Sequence, residues 1–316
     1  MNFIPNLDPM DYLSSDPIVK SKFIKDLGDT FSNIGFACVK NHFTPEDEIK
    51  KFYQSVEEFF NLPLDRKTSY EIEGLGGQRG YTSFGREHAK GSDAPDLKEF
   101  WQIGQEVEGE YVSKENYPDN LQVTELTDFN RLSMVLYRGF EKSGSILLKA
   151  IASYLGLEEN YFEPQIKNGN SILRCIHYPP IKQEPKNAIR AEAHEDINLI
   201  TLLVGASAEG LEVKTAEGNW LAVNAPENHF VINVGDMLQR LTNNRLKSTT
   251  HRVVNPPREK WHTSRYSIPF FLHPVSEMDL TCLPSCIDAN HPEAYSPISA
   301  GDYLTERLIE IGLIKK

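Results

Sequence analysis

Cysteine is scarce in this chain, with four in 316 residues (Cys38, Cys175, Cys282 and Cys286). So few cysteines suit a reducing cytoplasm. Cys282 and Cys286 have no Cys-x-x-Cys or histidine pair beside them to complete a zinc site or redox pair, so they read as plain loop cysteines. Long apolar runs are also missing. Nothing approaches the roughly 18 residues that a membrane span requires. The start, Met-Asn-Phe-Ile-Pro-Asn-Leu-Asp, has no basic stretch leading into an apolar core, so no secretory signal is expected and the expected location is cytoplasmic. Positive charge is in deficit: 33 basic against 45 acidic residues leave a formal net charge of −12. Such a surface repels a phosphate backbone, which excludes nucleic-acid binding as the main role, while a small anion in a local basic pocket stays compatible. Repeats and low-complexity segments are absent, and no obligate protein partner is evident.

An apolar fraction of 40% with 10% aromatics is that of a globular chain burying a sizeable core. Ile18, Phe23, Ile24, Leu27 and Phe31 recur at helical spacing until Gly35 breaks the pattern. Gly35–Lys40 reads as a short strand. Pro45 and Glu46 open a second helix through Phe52, Val56, Phe59 and Phe60, stopped by Pro63. The glycine-rich, charged stretch 74–100 reads as a mobile loop with strand fragments outside the packed core. A third helix is predicted from about Asp128 to Leu155. From Ser171 the period changes to two. Short apolar runs at 171–178, 198–204, 211–214, 220–223, 230–234, 250–254 and 266–273 are separated by turn signals such as Pro179-Pro180, Gly218-Asn219 and Gly235-Asp236. Many short strands at this spacing predict a β-sandwich or barrel. A last helix is expected from about Ala300 to Ile314.

Chemistry-bearing residues fall within the strand region. In His194-Glu195-Asp196, side chains two apart on an extended chain face the same way, so the imidazole and the carboxylate can share one metal. His251, heading a later strand, can supply a third ligand. Two imidazoles and one carboxylate on one face of an ion suit non-haem iron(II), with the other face open. A structural zinc site would want a closed shell of four, and cysteine is absent here. Arg265 and Ser267 again face one way; a planar guanidinium fork and a hydroxyl match a carboxylate.

Taken together, the chain resembles the isopenicillin-N-synthase-like family of iron(II)/2-oxoglutarate oxygenases. The matching pieces are Ile34-Gly35-Phe36-Ala37 with Asn41-His42, Phe59–Pro63 with Lys67, and Leu173–Pro180. After these come His194-Glu195-Asp196, Gly210–Val213, Ile232–Asp236, Thr242-Asn243-Asn244 with Lys247-Ser248, His251-Arg252-Val253 and Arg265-Tyr266-Ser267. The match spans nearly the whole chain. The resemblance implies a mainly β fold with flanking helices: a double-stranded β-helix, or jelly roll, of cupin-like type. It implies an N-terminal region of the non-haem dioxygenase type over 1–105, connecting helices over 106–165, the jelly-roll core over 166–275 and a C-terminal extension with a helix over 276–316. It implies His194, Asp196 and His251 as iron ligands, and Arg265, Ser267 and Tyr178 as the holders of the distal carboxylate of 2-oxoglutarate. The implied cofactors are Fe(2+), 2-oxoglutarate as co-substrate and O2, with ascorbate as a reductant. The implied reaction hydroxylates or desaturates a small molecule, releasing succinate and CO2. Relatives that bind iron without 2-oxoglutarate, as oxidases or cyclases, are the nearest alternative. A jelly-roll protein that holds a metal without turnover is a more distant one.

Two departures from the family pattern stand out. Ile176 occupies a position where many relatives carry Asn, and Phe43 follows Asn41-His42 where Gly is common. For the substrate, Arg174 lies four residues from Tyr178 on one strand and so faces the same side. Arg79 and Tyr81 in the loop Gly76–Tyr81, and Phe100 in the segment Asp96–Trp101, are expected to line the pocket. His42, His88, His229, His262, His273 and His291 are read as structural or surface residues.

Overall fold

The structure is a computed structural model that describes residues 4–75, 77–87, 95–107, 117–185, 187–205, 209–226, 228–311 and 313. The N-terminal part runs β1 (Asn6–Leu7), α1 (Pro9–Tyr12), α2 (Pro17–Asn33), β2 (Phe36–Val39), α3 (Glu46–Phe60), α4 (Leu64–Thr68), β3 (Gly80–Thr82) and β4 (Glu99–Gly104). A long helix, α5 (Thr127–Tyr154), and a short one, α6 (Glu163–Ile166), lead into the strand-rich half. There follow β5 (Ile172–Tyr178), β6 (Ala191–His194), β7 (Ile200–Val204), β8 (Leu211–Lys214), β9 (Trp220–Ala222), β10 (Phe230–Val234), α7 (Asp236–Leu241), β11 (His251–Val253), β12 (Arg265–Leu272) and α8 (Ala300–Glu310).

The strands form two sheets. The larger has eight strands in the order β1-β2-β10-β7-β12-β5-β4-β3, and the smaller has four in the order β6-β11-β8-β9. From β5 to β12 the chain passes back and forth between the sheets, as a jelly roll demands, with only β8 and β9 following each other in one sheet. Helices pack on the large sheet. The buried face of α5 repeats at helical spacing through Phe129, Leu132, Leu136, Phe140, Leu147 and Ile151. Phe140 stacks on Phe230 of β10 at 4.7 Å and on Phe270 of β12 at 5.5 Å, so the helix is registered against the sheet's centre. Among the described residues no helix is long and apolar enough to cross a membrane.

Gly35 makes the turn from α2 into β2. Its φ is +70°, and a Cβ there would lie 2.1 Å from the Lys247 carbonyl oxygen, so only glycine fits. The chain segment leading to His251 is thereby held against β2.

One expectation is overturned. Stretch 74–100 holds the expected strand fragments, but among its described residues they do not lie outside the core: β3 and all six residues of β4 are buried, and β4 pairs with β5 along its whole length. Trp101 packs against Phe59 and Phe129. Composition misleads here because most of the described charges, Arg79, Glu87, Asp96, Lys98 and Glu99, do not face water. Glu99 is buried, accepts hydrogen bonds from Lys67 at 2.8 Å and bonds His177 Nδ1 at 2.7 Å, so the charge is met inside the fold.

Candidate active site

The smaller sheet supplies two of the three candidate metal ligands. β6 ends on His194 and β11 begins on His251, and the two are direct partners across the antiparallel pair. Their rings are 4.4 Å apart. Two residues beyond β6 the chain turns toward β7 and delivers Asp196. Its Oδ1 lies 4.0 Å from His194 Nε2 and 3.8 Å from His251 Nε2. One ligand atom from each of the three lies within 4.8 Å of the others.

Hydrogen bonds decide which atoms face inward. Each imidazole donates from Nδ1 to the carbonyl two residues earlier: His194 to Glu192 at 2.7 Å, His251 to Thr249 at 3.1 Å. A carbonyl only accepts, so Nδ1 carries a proton in each ring and Nε2 is the atom turned toward Asp196. Asp196 Oδ2 accepts from Thr201 Oγ1 at 2.6 Å and Asn233 Nδ2 at 2.8 Å, which leaves Oδ1 toward the histidines. Burial pushes the Asp196 carboxyl up, but His251, His194, Asn233 and Thr201 outweigh it and hold it below the usual range. Its place inside the cavity, with His251 beside it, holds His194 well below an ordinary histidine. The resulting set is one carboxylate oxygen and one Nε2 atom from each histidine, turned toward a common point. Among the described residues, the buried Asp196 charge has only imidazoles as its ion-pair partners. A divalent cation supplies the compensation that this donor set lacks, and its chemistry fits iron(II).

On the large sheet, Arg265 of β12 sits opposite Tyr178 of β5, and Ser267 opposite Ile176. Arg265 is 1% exposed, and its guanidinium carbon is 5.0 Å from the Tyr178 ring centroid. These three polar side chains are thus grouped at one end of the barrel interior. Ile176 packs among Phe100, Tyr178, Ala191 and Val253, an apolar patch where relatives with Asn would have a polar one.

His194 and Asp196 form part of the wall of a cavity of about 410 Å³. Arg174 lines it, but its charge is already engaged: Nε donates to Gln102 Oε1 at 2.9 Å and Nη1 pairs with Glu87 at 3.3 Å. Its guanidinium lies 4.3 Å from the Phe100 ring and 5.2 Å from the Phe271 ring. Lys98 bridges Glu87 at 2.8 Å and Asp96 at 2.7 Å. Asp96 in turn accepts the Glu192 N–H at 3.0 Å, two residues before His194. Two carboxylates and two cations therefore neutralise each other in the cavity wall. Burial pushes the Glu87 carboxyl up, but Lys98 and Arg174 prevail and hold it at about 2. A carboxyl depressed in the folded state adds stability above its unfolded value, and that stability is lost as pH falls toward the folded one. The apoprotein is accordingly expected to lose stability between about pH 4.5 and pH 2, and Glu87→Gln to flatten that loss in acid-unfolding curves followed by circular dichroism.

Sequence reasoning places Arg79, Tyr81 and Phe100 in the substrate pocket, and the structure corrects this. Arg79 is 1% exposed, packs on Gly104 and donates to Gln105 at 2.9 Å. Tyr81 points into the helix-side core and donates to Glu99. Phe100 packs behind Arg174 and Tyr178 rather than on the cavity surface. His88 lies outside the described residues. His42 stacks on Phe230 at 4.0 Å. His273, read as structural, lines the cavity with His194; burial pushes it down to about 4, so it is a neutral ring there. From the two segments that the sequence pointed to, Gln78, Asp96 and Lys98 line the cavity instead, while Glu87, Gln102 and Phe271 also line it and were missed. The alternation of Phe271 with Arg265 and Ser267 along one strand was the available signal for that residue.

Comparison with known proteins agrees with this geometry. The model of the 2OG-Fe(II) oxygenase superfamily matches residues 169–274, and that of the non-haem dioxygenase in morphine synthesis N-terminal region matches 4–125. The proline hydroxylase buaE of Petromyces alliaceus is 32% identical over 97% of this chain and 99% of its own length. The 2-oxoglutarate-Fe(II) type oxidoreductase hxnY of Emericella nidulans is 30% identical over 94% of this chain and 87% of its own. Among solved structures, a full-length Neurospora crassa protein in complex with alpha-KG and thymine superposes with a TM-score of 0.85 at 31% identity, covering 97% of each chain. The chain belongs to the 2-oxoglutarate-Fe(II) oxygenase superfamily and is a 2-oxoglutarate-dependent, iron-dependent oxidoreductase with the jelly-roll fold of that family.

Proposed function

We propose that His194, Asp196 and His251 hold the iron, that Arg265, Ser267 and Tyr178 hold the far carboxylate of 2-oxoglutarate, and that the protein hydroxylates a small, uncharged, polar-edged molecule in the cavity beside the triad. The observation that carries this reading is the convergence of a ring nitrogen from each of His194 and His251 and a carboxylate oxygen of Asp196 within 4.8 Å of one another, with His194 and Asp196 lining the cavity. When bound, iron and 2-oxoglutarate supply oxygen activation coupled to decarboxylation to succinate. The protein's own part is positioning. Glu192 and Thr249 carbonyls fix both imidazoles, and Thr201 and Asn233 fix the carboxylate. Arg265 and Ser267 orient the co-substrate from the barrel's other wall.

The preference for an uncharged substrate rests on the cluster of Glu87, Asp96, Lys98 and Arg174, whose two acids and two cations match each other in the wall. A charged ligand would have to displace Arg174 from Glu87 or Lys98 from its two acids, at the cost of leaving a buried charge unmatched. Phe271 and Ile172 offer flat apolar contact, and Gln102, Asn170 and His273 offer hydrogen-bonding edges. The Neurospora crassa complexes with thymine and 5-formyluracil hold ligands of this kind. The test is succinate release with iron(II) and 2-oxoglutarate, screened against neutral heterocycles, nucleobases and free amino acids. Stimulation by one uncharged member of the panel, with its hydroxylated product, is expected. Stimulation only by charged members would contradict the substrate class, and no succinate under any condition would move the reaction to an iron oxidase with another reductant.

A further inference from the structure

Arg190 immediately precedes β6, four residues before His194. It is 2% exposed. Its Nη2 donates to the Thr263 carbonyl at 3.2 Å, while its Nε, equally buried, has no hydrogen-bond partner among the described residues. The guanidinium carbon lies 5.9 Å from the Tyr178 ring centroid, the same ring that Arg265 approaches to 5.0 Å. Burial and the nearby Arg265 charge push Arg190 down to about 10, with Tyr178 acting the other way and no carboxylate among the groups that shift it. A buried guanidinium close to another cation, as Arg190 is, is costly unless an anion reaches it. A carboxylate has four lone-pair sites, and a guanidinium fork fills two at a time.

We propose that Arg190 is a second cationic anchor for the far carboxylate of 2-oxoglutarate, acting with Arg265 around the Tyr178 ring. This rests on the assignment of that carboxylate to Arg265, Ser267 and Tyr178. Arg190 then makes the pocket selective for a dianionic 2-oxo acid over a monoanionic one, because only the former brings a charge to this end of the barrel.

The experiment titrates the anaerobic iron(II) protein with 2-oxoglutarate, and separately with pyruvate, following the metal-to-ligand charge-transfer absorption. Pyruvate chelates iron in the same way but has no far carboxylate. In Arg190→Gln the Kd for 2-oxoglutarate is expected to rise by about tenfold or more, the loss of one charge-assisted hydrogen bond, with pyruvate binding unchanged. Arg190→Lys, which keeps the charge and guards against misfolding of the first variant, is expected to recover part of the affinity. Equal losses for both ligands, or a 2-oxoglutarate Kd within about twofold of the unmodified protein, would overturn the proposal and leave Arg190 as a tie between β6 and the Thr263 turn. If the unmodified protein gives no absorption with 2-oxoglutarate, the co-substrate assignment falls first, and this inference with it.

Discussion

Asp196→Ala is expected to abolish iron-dependent turnover and to cost the apoprotein part of its stability at neutral pH. The two effects have one cause. Asp196 is a buried ionised carboxylate whose ion-pair partners are two imidazoles. Inside the fold His251, His194, Asn233 and Thr201 hold that carboxyl below its usual range, so its ionised form adds stability at neutral pH that truncation removes. With iron present the same charge is the only anionic ligand of the triad. Its removal should weaken iron binding by more than the roughly 10–100-fold that follows loss of an outer hydrogen-bond partner. Asn233→Ala and Thr201→Val, which remove the donors to Oδ2, should fall in that intermediate range. Iron stoichiometry after desalting, read beside thermal melting of the apoprotein, checks the series. An Asp196→Ala protein that retains iron would contradict the ligand assignment. An apoprotein melting temperature at neutral pH that does not fall would contradict the account of Asp196 as a carboxylate stabilised inside the fold.

Lys98→Met carries the largest expected effect on stability. Lys98 is 7% exposed and bridges Glu87 and Asp96, so its loss leaves two buried carboxylates facing each other with only Arg174 nearby. Removing one partner from such a buried network costs about 3–5 kcal/mol. Asp96 also holds the Glu192 N–H, so the damage reaches the strand that ends on His194. Urea unfolding of the apoprotein measures the loss directly. Adding Asp96→Asn should restore part of it, because the second change removes a charge the first left unmatched. Additive losses in the double variant would show that the cluster is not the coupled unit described here.

Much of this could be read from the residues in order. Period-two runs after Ser171 announced the strands, and the spacing His194-x-Asp196, with His251 heading a later strand and Arg265-x-Ser267 on another, announced the site. These signals are local: two side chains two apart on one strand need no knowledge of the rest of the fold. The cavity wall was less legible, because it is assembled from pairs distant in sequence. Glu87, Lys98 and Arg174 meet only because β4 lies beside β5, and a charged glycine-rich stretch carries no mark that its charges will be matched inside. Arg79 and Tyr81 failed for the same reason, since a side chain near a strand's start can face either layer until the register with β4 is known. The C-terminal helix was foreseen, but not that Leu304 and Leu308 on α8 would close one side of the cavity.

Whether the triad and the co-substrate cradle form one centre is tested most directly by the visible absorption of the anaerobic protein after addition of iron(II) and then 2-oxoglutarate, with no primary substrate. A charge-transfer band that appears only when both are present, is absent in His194→Ala and requires more 2-oxoglutarate in Arg265→Gln is the predicted result. Stoichiometric iron with no band at saturating 2-oxoglutarate would contradict it.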